Sequence, residues 1–255
     1  MNINYIPVRQ EESRVADKKV RDREPLITDS KFPFSVREAY NALRTNILYA
    51  LSPINGKIIA ITSPNPGEGK STVSINLAIT LAQTSAKVLL IDADLRKPTI
   101  HKKLNLNNSS GLSKFIVGFE TMADALMRNV QPNLDVMTSG PIPPNPSELL
   151  GSPNMQMFLN KVSEYYDYII IDTPPINVVT DMAVMANFVS GVLLVSYYSA
   201  TTIDDIRKAQ DSLKIVNAKV LGLVVTGVIR KRNMEGYYKS CLLYTSPSPR
   251  DRSLS

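Results

Sequence analysis

One cysteine, Cys241, and one histidine, His101, are present among 255 residues. A lone cysteine excludes an internal disulfide framework and suits a reducing compartment. No zinc-ligand spacing exists, and His101 has no serine or cysteine nucleophile in a triad context, so it reads as a surface or capping residue. No apolar run approaches the roughly 18 to 20 residues that cross a bilayer. The opening stretch MNINYIPVRQEESR lacks the apolar segment of a signal peptide. These absences lead to the expectation of a soluble, cytoplasmic chain. Charge of one sign is not concentrated either. The net charge is +6, but the basic residues are dispersed apart from Lys102-Lys103 and Arg230-Lys231-Arg232. With no helix-turn-helix pattern, that basicity reads as solvated surface, and nucleic acid is not expected as a partner.

The remaining composition, 44% hydrophobic and 20% charged, is that of a globular protein, long enough for one large α/β domain. Residues 1–32 mix charges of both signs with few large apolar residues, and are expected to form a flexible arm. From Ser35 onward, Val36, Tyr40, Leu43 and Ile47 recur at helical spacing, with Ser35 and Glu38 placed as a capping box. Strands and helices then alternate. Strands are expected at 57–63, 87–93, 134–140, 166–175, 191–198 and 219–228. Helices are expected at 70–84, in pieces over 98–128, near 154–164 and around 202–216. Buried β-branched runs alternating with helices predict a mostly parallel sheet covered by helices on both faces. Tyr165, Tyr166, Tyr168, Tyr197 and Tyr198 fall beside or in these strands and are expected to be packing residues.

The stretch SPNPGEGKST, Ser63 to Thr72, joins an apolar strand to a helix. It departs from G-x-x-x-x-G-K-[ST] only in having Pro64 where the first glycine stands. Gly67 and Gly69 permit turns that aim successive N–H groups at one point. The helix beginning near Lys70 adds its N-terminal dipole. Lys70 supplies a cation for the β and γ phosphates, and the hydroxyl of Ser71 or Thr72 can ligate Mg²⁺. Gly67, Glu68, Gly69, Lys70, Ser71 and Thr72 are therefore expected to cradle the nucleotide. Two further strands end in carboxylates: VLLIDADLR carries Asp92 and Asp94, and YIIIDTPP carries Asp172. In an open parallel sheet such ends gather where the ligand sits, and a phosphate-bound Mg²⁺ needs hard oxygen ligands. The fold class predicted is a P-loop NTPase.

SPNPGEGKST, LLIDADLRKPTIHKKL and YIIIDTPP resemble the Walker A, Walker A′ and Walker B motifs of the bacterial tyrosine kinases, in particular the CpsD/CapB-like proteins of capsule and exopolysaccharide assembly. GPIPPNPSELL and EAYNALRTNI are similar to further stretches of that family, so the resemblance runs from about Ser35 to Tyr238. It implies an ATP- and Mg²⁺-dependent protein-tyrosine kinase. Lys70 would hold the β/γ phosphates, Ser71, Asp94 and Asp172 would serve the metal, and Asp92 would orient or deprotonate an attacking tyrosine. Lys70, Asp92 and Asp94 are thus the implied catalytic set. The implied phosphoacceptors are Tyr237 and Tyr238, and protein tyrosines the substrates. The implied partners are neighbouring copies in a ring and a membrane-embedded, chain-length-regulator-like activator that recruits the kinase to the inner face of the membrane.

The competing resemblance is to the MinD/ParA group of partitioning or regulatory ATPases, whose loop carries an early signature lysine; Asn65 stands there instead. Three departures from the kinase pattern stand out. Asn41 replaces one arginine of the ring-forming E-x-x-R-x-x-R, between Glu38 and Arg44. Thr226 takes the place of an asparagine facing the adenine. SCLLYTSPSPRDRSLS lacks a tyrosine cluster and resembles a stretch found in gene models read through sequencing-adapter DNA, so the natural C-terminus is expected to have been lost after about Lys239. The domain reading is an arm at 1–32, a kinase domain at 33–232 and a tail at 233–255.

Overall fold

The computed structural model describes residues 3–5, 26–29, 32–52 and 57–228. Eight strands form one sheet: β1 (Ile3–Tyr5), β2 (Ile58–Thr62), β3 (Val88–Asp92), β4 (Leu126–Gln131), β5 (Leu134–Met137), β6 (Tyr168–Asp172), β7 (Gly191–Tyr197) and β8 (Val220–Thr226). Their order is β1-β8-β7-β2-β6-β3-β5-β4, and every neighbouring pair is parallel except β4 with β5. The helices are α1 (Phe34–Leu51), α2 (Lys70–Ala82), α3 (Ile100–Leu104), α4 (Leu112–Val117), α5 (Met122–Ala125), α6 (Pro146–Leu150), α7 (Pro153–Val162), α8 (Asp181–Met185) and α9 (Ile203–Ile215).

The central strands are apolar on both faces because helices cover both. Alternation along β2 sends Ile59 and Ile61 one way, into a core with Leu43 and Ile47 of α1 and Val73 and Leu77 of α2. Ile58 points the other way, with Ile91, Ile169, Ile171 and residues of α4 and α7. Ala60 joins Val192 and Leu194 under α9. The expected sheet, mostly parallel and covered on both faces, is the one found.

Several local expectations are corrected. Helix α1 buries Val36, Tyr40, Leu43 and Ile47 as predicted, but Ser35 does not cap it. The Pro33 carbonyl already accepts the N–H groups of Val36 and Arg37, so the first turn closes before Ser35. Glu38 accepts instead from Asn41 Nδ2 at 3.0 Å. The region before Arg128 is not helical throughout, because Leu126 opens β4, an edge strand with one buried residue and a register shift. Its alternation is too weak for a period to be read. The N-terminal arm contributes to the body at two places. Ile3–Tyr5 pairs with β8, and the buried Ile27 donates its N–H to Asn76 Oδ1 of α2 at 2.9 Å. Tyr165 and Tyr198 are 62% and 60% exposed, since one follows the end of α7 and the other leaves β7; they are not packing residues. Tyr166 and Tyr168 do pack against the core. His101, in α3, is partly buried, and that burial, then Lys102, holds its imidazole below the ordinary value. Tyr237, Tyr238 and Cys241 lie outside the described residues.

Candidate active site

Sheet register builds this site. Asp92 at the end of β3 is the direct partner of Asp172 at the end of β6, and Asp172 is in turn the partner of Ile61 in β2. Three consecutive strands therefore deliver the phosphate loop and both acidic turns to one edge. The loop between β2 and α2 turns back on itself through Gly67 and Gly69, at φ of 82° and 88°. Both values lie in the left-handed region that favours glycine. At Gly69 an added Cβ would make only ordinary van der Waals contact, 3.5 Å from the Thr226 side chain, so the backbone conformation is what favours glycine there. Gly69 is the N-cap of α2, so the unpaired N–H groups of the first turn face the loop.

The cavity in front of the loop, about 400 Å³, is lined by Gly67, Gly69, Lys70, Ser71 and Thr72, with Asp94, Arg96, Lys97 and Lys103 opposite. Behind it lies a buried polar cluster. Lys70 Nζ donates to Asp94 Oδ2 at 2.8 Å and lies 3.8 Å from Asp172 Oδ2. Ser71 Oγ donates to Asp172 Oδ2 at 2.5 Å, and Ser74 Oγ donates to Asp172 Oδ1 at 3.0 Å. Burial by itself would push the Lys70 ammonium down, but Asp172 and Asp94 outweigh it and hold the group above its usual value. Burial raises Asp172 despite Lys70 and Ser71, and raises Asp92 well above the carboxylate range, with Asp172 adding to it. Three carboxylates against one ammonium leave this interior short of positive charge. Hard oxygen donors with a negative surplus suit a divalent cation. Among the described residues no three His, Cys, Asp or Glu side chains gather as a metal cage. A Mg²⁺ here would be completed by phosphate oxygens and water, with Ser71, Asp94 and Asp172 as the protein's share.

Not every expected site residue faces the cavity. Asp92 is fully buried, and its oxygens accept the N–H groups of Asp94 at 3.2 Å, Thr99 at 3.2 Å and Ile100 at 3.1 Å. It holds the 93–100 turn and does not line the cavity. Glu68 does not line the cavity either. Its carboxylate, raised by burial, accepts from Asn65 N–H at 3.0 Å and from the Thr201 hydroxyl, bracing the loop against the turn after β7. Thr226 Oγ1 completes that brace by donating to the Glu68 carbonyl at 2.8 Å. Its side chain thus supports the loop from beneath.

A second network escaped the sequence reading. Arg96 donates to the buried Asp181 through Nε at 2.9 Å and Nη2 at 3.0 Å, and to Ser147 Oγ at 3.0 Å. Ser147 donates to Asp181 in turn. This joins the turn after β3 to α6 and α8. Ser147 lies within the recognised PPNPSELL stretch, whereas Asp181 had no local signal, only an ordinary position at the start of a helix.

Residues 56–220 match a family described as AAA domain. The chain is 38% identical over 221 residues to the putative tyrosine-protein kinase CapB of Staphylococcus aureus, covering 87% of this chain and 97% of that protein. It is 43% identical over 202 residues to tyrosine-protein kinase YwqD of Bacillus subtilis strain 168, covering 79% of this chain and 85% of YwqD. The solved kinase domain of the Escherichia coli tyrosine kinase ETK matches with a TM-score of 0.80 at 32% identity, covering 89% of this chain and 90% of that one. The septum site-determining protein MinD of Pyrococcus horikoshii, complexed with Mg-ADP, matches at 0.57 and 23% identity over 66% of this chain and 69% of that one, which shows a shared fold alone. With phosphate loop, paired acidic strand ends and these relatives in agreement, the chain belongs to the bacterial tyrosine-protein kinase family.

Proposed function

We propose that this chain transfers the γ-phosphoryl group of ATP to tyrosine hydroxyls of proteins, including Tyr237 and Tyr238 of neighbouring copies. The observation that carries this reading is the convergence of Lys70, Ser71, Asp94 and Asp172 behind a glycine loop at a helix N-terminus. In the transfer, the bond from Pγ to the ADP oxygen breaks, one to the tyrosine oxygen forms, and the hydroxyl proton leaves to solvent or a carboxylate. Such transfers depend mainly on positioning and charge neutralisation. When bound, Mg²⁺ supplies part of that neutralisation at the β and γ oxygens. Lys70 balances phosphate charge, and the α2 N–H groups orient the phosphates. Asp94 is the one carboxylate among the described residues that line the cavity, and so the one placed to meet an acceptor entering there.

The proposal extends to a membrane-embedded activator and to control of capsule or exopolysaccharide assembly. Among the described residues no helix is long and apolar enough to cross a membrane. Tyrosine-protein kinase etk of Escherichia coli K12 is 36% identical over 197 residues, but the match covers only 27% of that longer protein. In this reading the activator recruits the kinase to the inner face of the membrane. Self-association through α1 belongs to the same reading. The test incubates the chain with ATP and Mg²⁺, with and without a fused activator tail, and maps phosphotyrosine by mass spectrometry. Free phosphate without any phosphotyrosine in either arm would favour a partitioning-type ATPase instead.

A further inference from the structure

At the sheet edge opposite Lys70 a second cavity, of about 930 Å³, opens between α4, α7 and β4. Lys87 and Asn133, which immediately precede β3 and β5, mark it as lying at the strand starts. Its floor is apolar. Ile116, Leu126, Phe158 and Val162 are buried there, and Phe115 meets Phe158 edge-on with ring centroids 5.1 Å apart. Tyr166 forms one wall, and its hydroxyl donates to Asp135 Oδ2 at 2.6 Å. The Asn129 N–H occupies the other Asp135 oxygen at 2.7 Å. Asp135 is the sole carboxylate among the described lining residues, and both its oxygens are engaged. Three cations, Lys87, Arg128 and Lys161, line the same opening, and none forms an ion pair with a described residue.

We propose that this cavity is a second ligand site, taking an amphipathic anion: an apolar body seated on the Phe115–Phe158 floor, with its negative head at the three cations. An apolar floor with a few convergent polar groups at its mouth is the usual build of a small-molecule site. A neutral apolar ligand would leave the cations unused, and a purely hydrophilic anion would leave the floor in water. Met157 and Tyr165, at the mouth, are 61% and 62% exposed, so apolar surface continues outward from the cavity. Nothing in the nucleotide reading requires this site, since it lies across the sheet from the phosphate loop.

The probe is 1-anilinonaphthalene-8-sulfonate, an aromatic body with one sulfonate, and the control is its uncharged counterpart N-phenyl-1-naphthylamine. Both are titrated by fluorescence into the full chain with ATP and Mg²⁺ saturating, which keeps the nucleotide site filled. The sulfonate is expected to bind saturably, and Arg128→Glu with Lys161→Glu to weaken it by about tenfold or more, because attraction becomes repulsion at two exposed positions. The neutral control should change little, and ATP-dependent phosphorylation should persist, which shows that the variant is folded. Should the double reversal fail to fold, Arg128→Gln and Lys161→Gln singly carry the same test, each weakening the sulfonate by about threefold. Absence of saturable binding, or sulfonate binding that these charge changes leave unaltered, would overturn the proposal. Because ATP stays bound throughout, failure here is distinct from failure of the kinase reading.

Discussion

Asp181 offers the sharpest test of how the site is held together. Its carboxylate is fully buried and accepts three hydrogen bonds, two from Arg96 and one from Ser147. Replacing it with alanine leaves a guanidinium and a hydroxyl without their shared acceptor. Charge-assisted bonds contribute roughly 1.5 to 3 kcal/mol each when buried. The Arg96 side chain is 40% exposed, so solvent recovers much of its share. About 1 kcal/mol per bond is the appropriate discount, or about 3 kcal/mol for Asp181→Ala. For a domain of this size that lowers Tm by about 6 to 12 °C. Asp181→Asn keeps one acceptor oxygen and should cost about half as much. Arg96 also lines the nucleotide cavity. Freed from its fork, it no longer presents a fixed charge, and kcat/KM for ATP should fall about tenfold, equivalent to roughly 1.4 kcal/mol. Thermal unfolding and steady-state kinetics read the two effects separately. A double-mutant cycle with Arg96→Lys should show coupling of about 1 to 2 kcal/mol. Purely additive effects, or an Asp181→Ala variant with unchanged Tm and kinetics, would refute the linkage.

Lys70→Met should end ATP turnover and, by leaving Asp94 and Asp172 buried without their ammonium, lower stability by about 3 kcal/mol at neutral pH. Asp92 and Asp172 have raised pKa values, so the fold binds more protons than the unfolded chain, and that loss should shrink as pH falls and grow as pH rises; Tm measured across pH reads it, and a pH-independent loss contradicts the charge accounting. Thr226→Val removes the hydroxyl under the Glu68 carbonyl and should cost about 1 to 2 kcal/mol with a raised KM for ATP; an unchanged KM would show that the brace is dispensable. Asn41→Arg should shift light scattering towards larger assemblies, because Glu38 is now occupied by Asn41 of its own helix while Arg44 reaches the Thr80 carbonyl at 3.1 Å; no shift would place assembly on other surfaces.

The strands were legible because each central one is buried on both faces and therefore reads as an uninterrupted apolar run. β3 and β6 end in Asp92 and Asp172, and β2 runs directly into the phosphate loop. Their side-by-side placement follows from parallel pairing alone, since equal register puts Asp92 opposite Asp172. What a sequence does not carry is the direction in which a buried polar group points. Glu68, in the middle of the loop, is expected from its position to cradle the nucleotide, yet its partners are Asn65 and Thr201, the latter more than a hundred positions away. β4 was missed for the opposite reason: this edge strand buries only Leu126, and the rest of it has no period to detect.

Asp92 shows how the two kinds of evidence separate role from position. Its place at a strand end beside a phosphate loop is what the motif predicts. The three backbone N–H groups it accepts belong to the turn that follows, the same turn that carries Asp94 and Arg96 into the cavity. As a positioning residue it should tolerate Asp92→Asn partly, because an amide oxygen still accepts two of the three donors while its NH₂ opposes the third. One lost bond and one opposed pair cost about 1 to 3 kcal/mol. A general base, by contrast, loses its function outright on that change, typically about 10²- to 10⁴-fold in rate. The pH–rate profile distinguishes the two. A positioning role lowers phosphotyrosine formation at every pH without removing an ionisation, whereas a base role removes the acidic limb of the profile. Disappearance of that limb in Asp92→Asn, with Tm unchanged, would restore Asp92 as the group that takes the tyrosine proton.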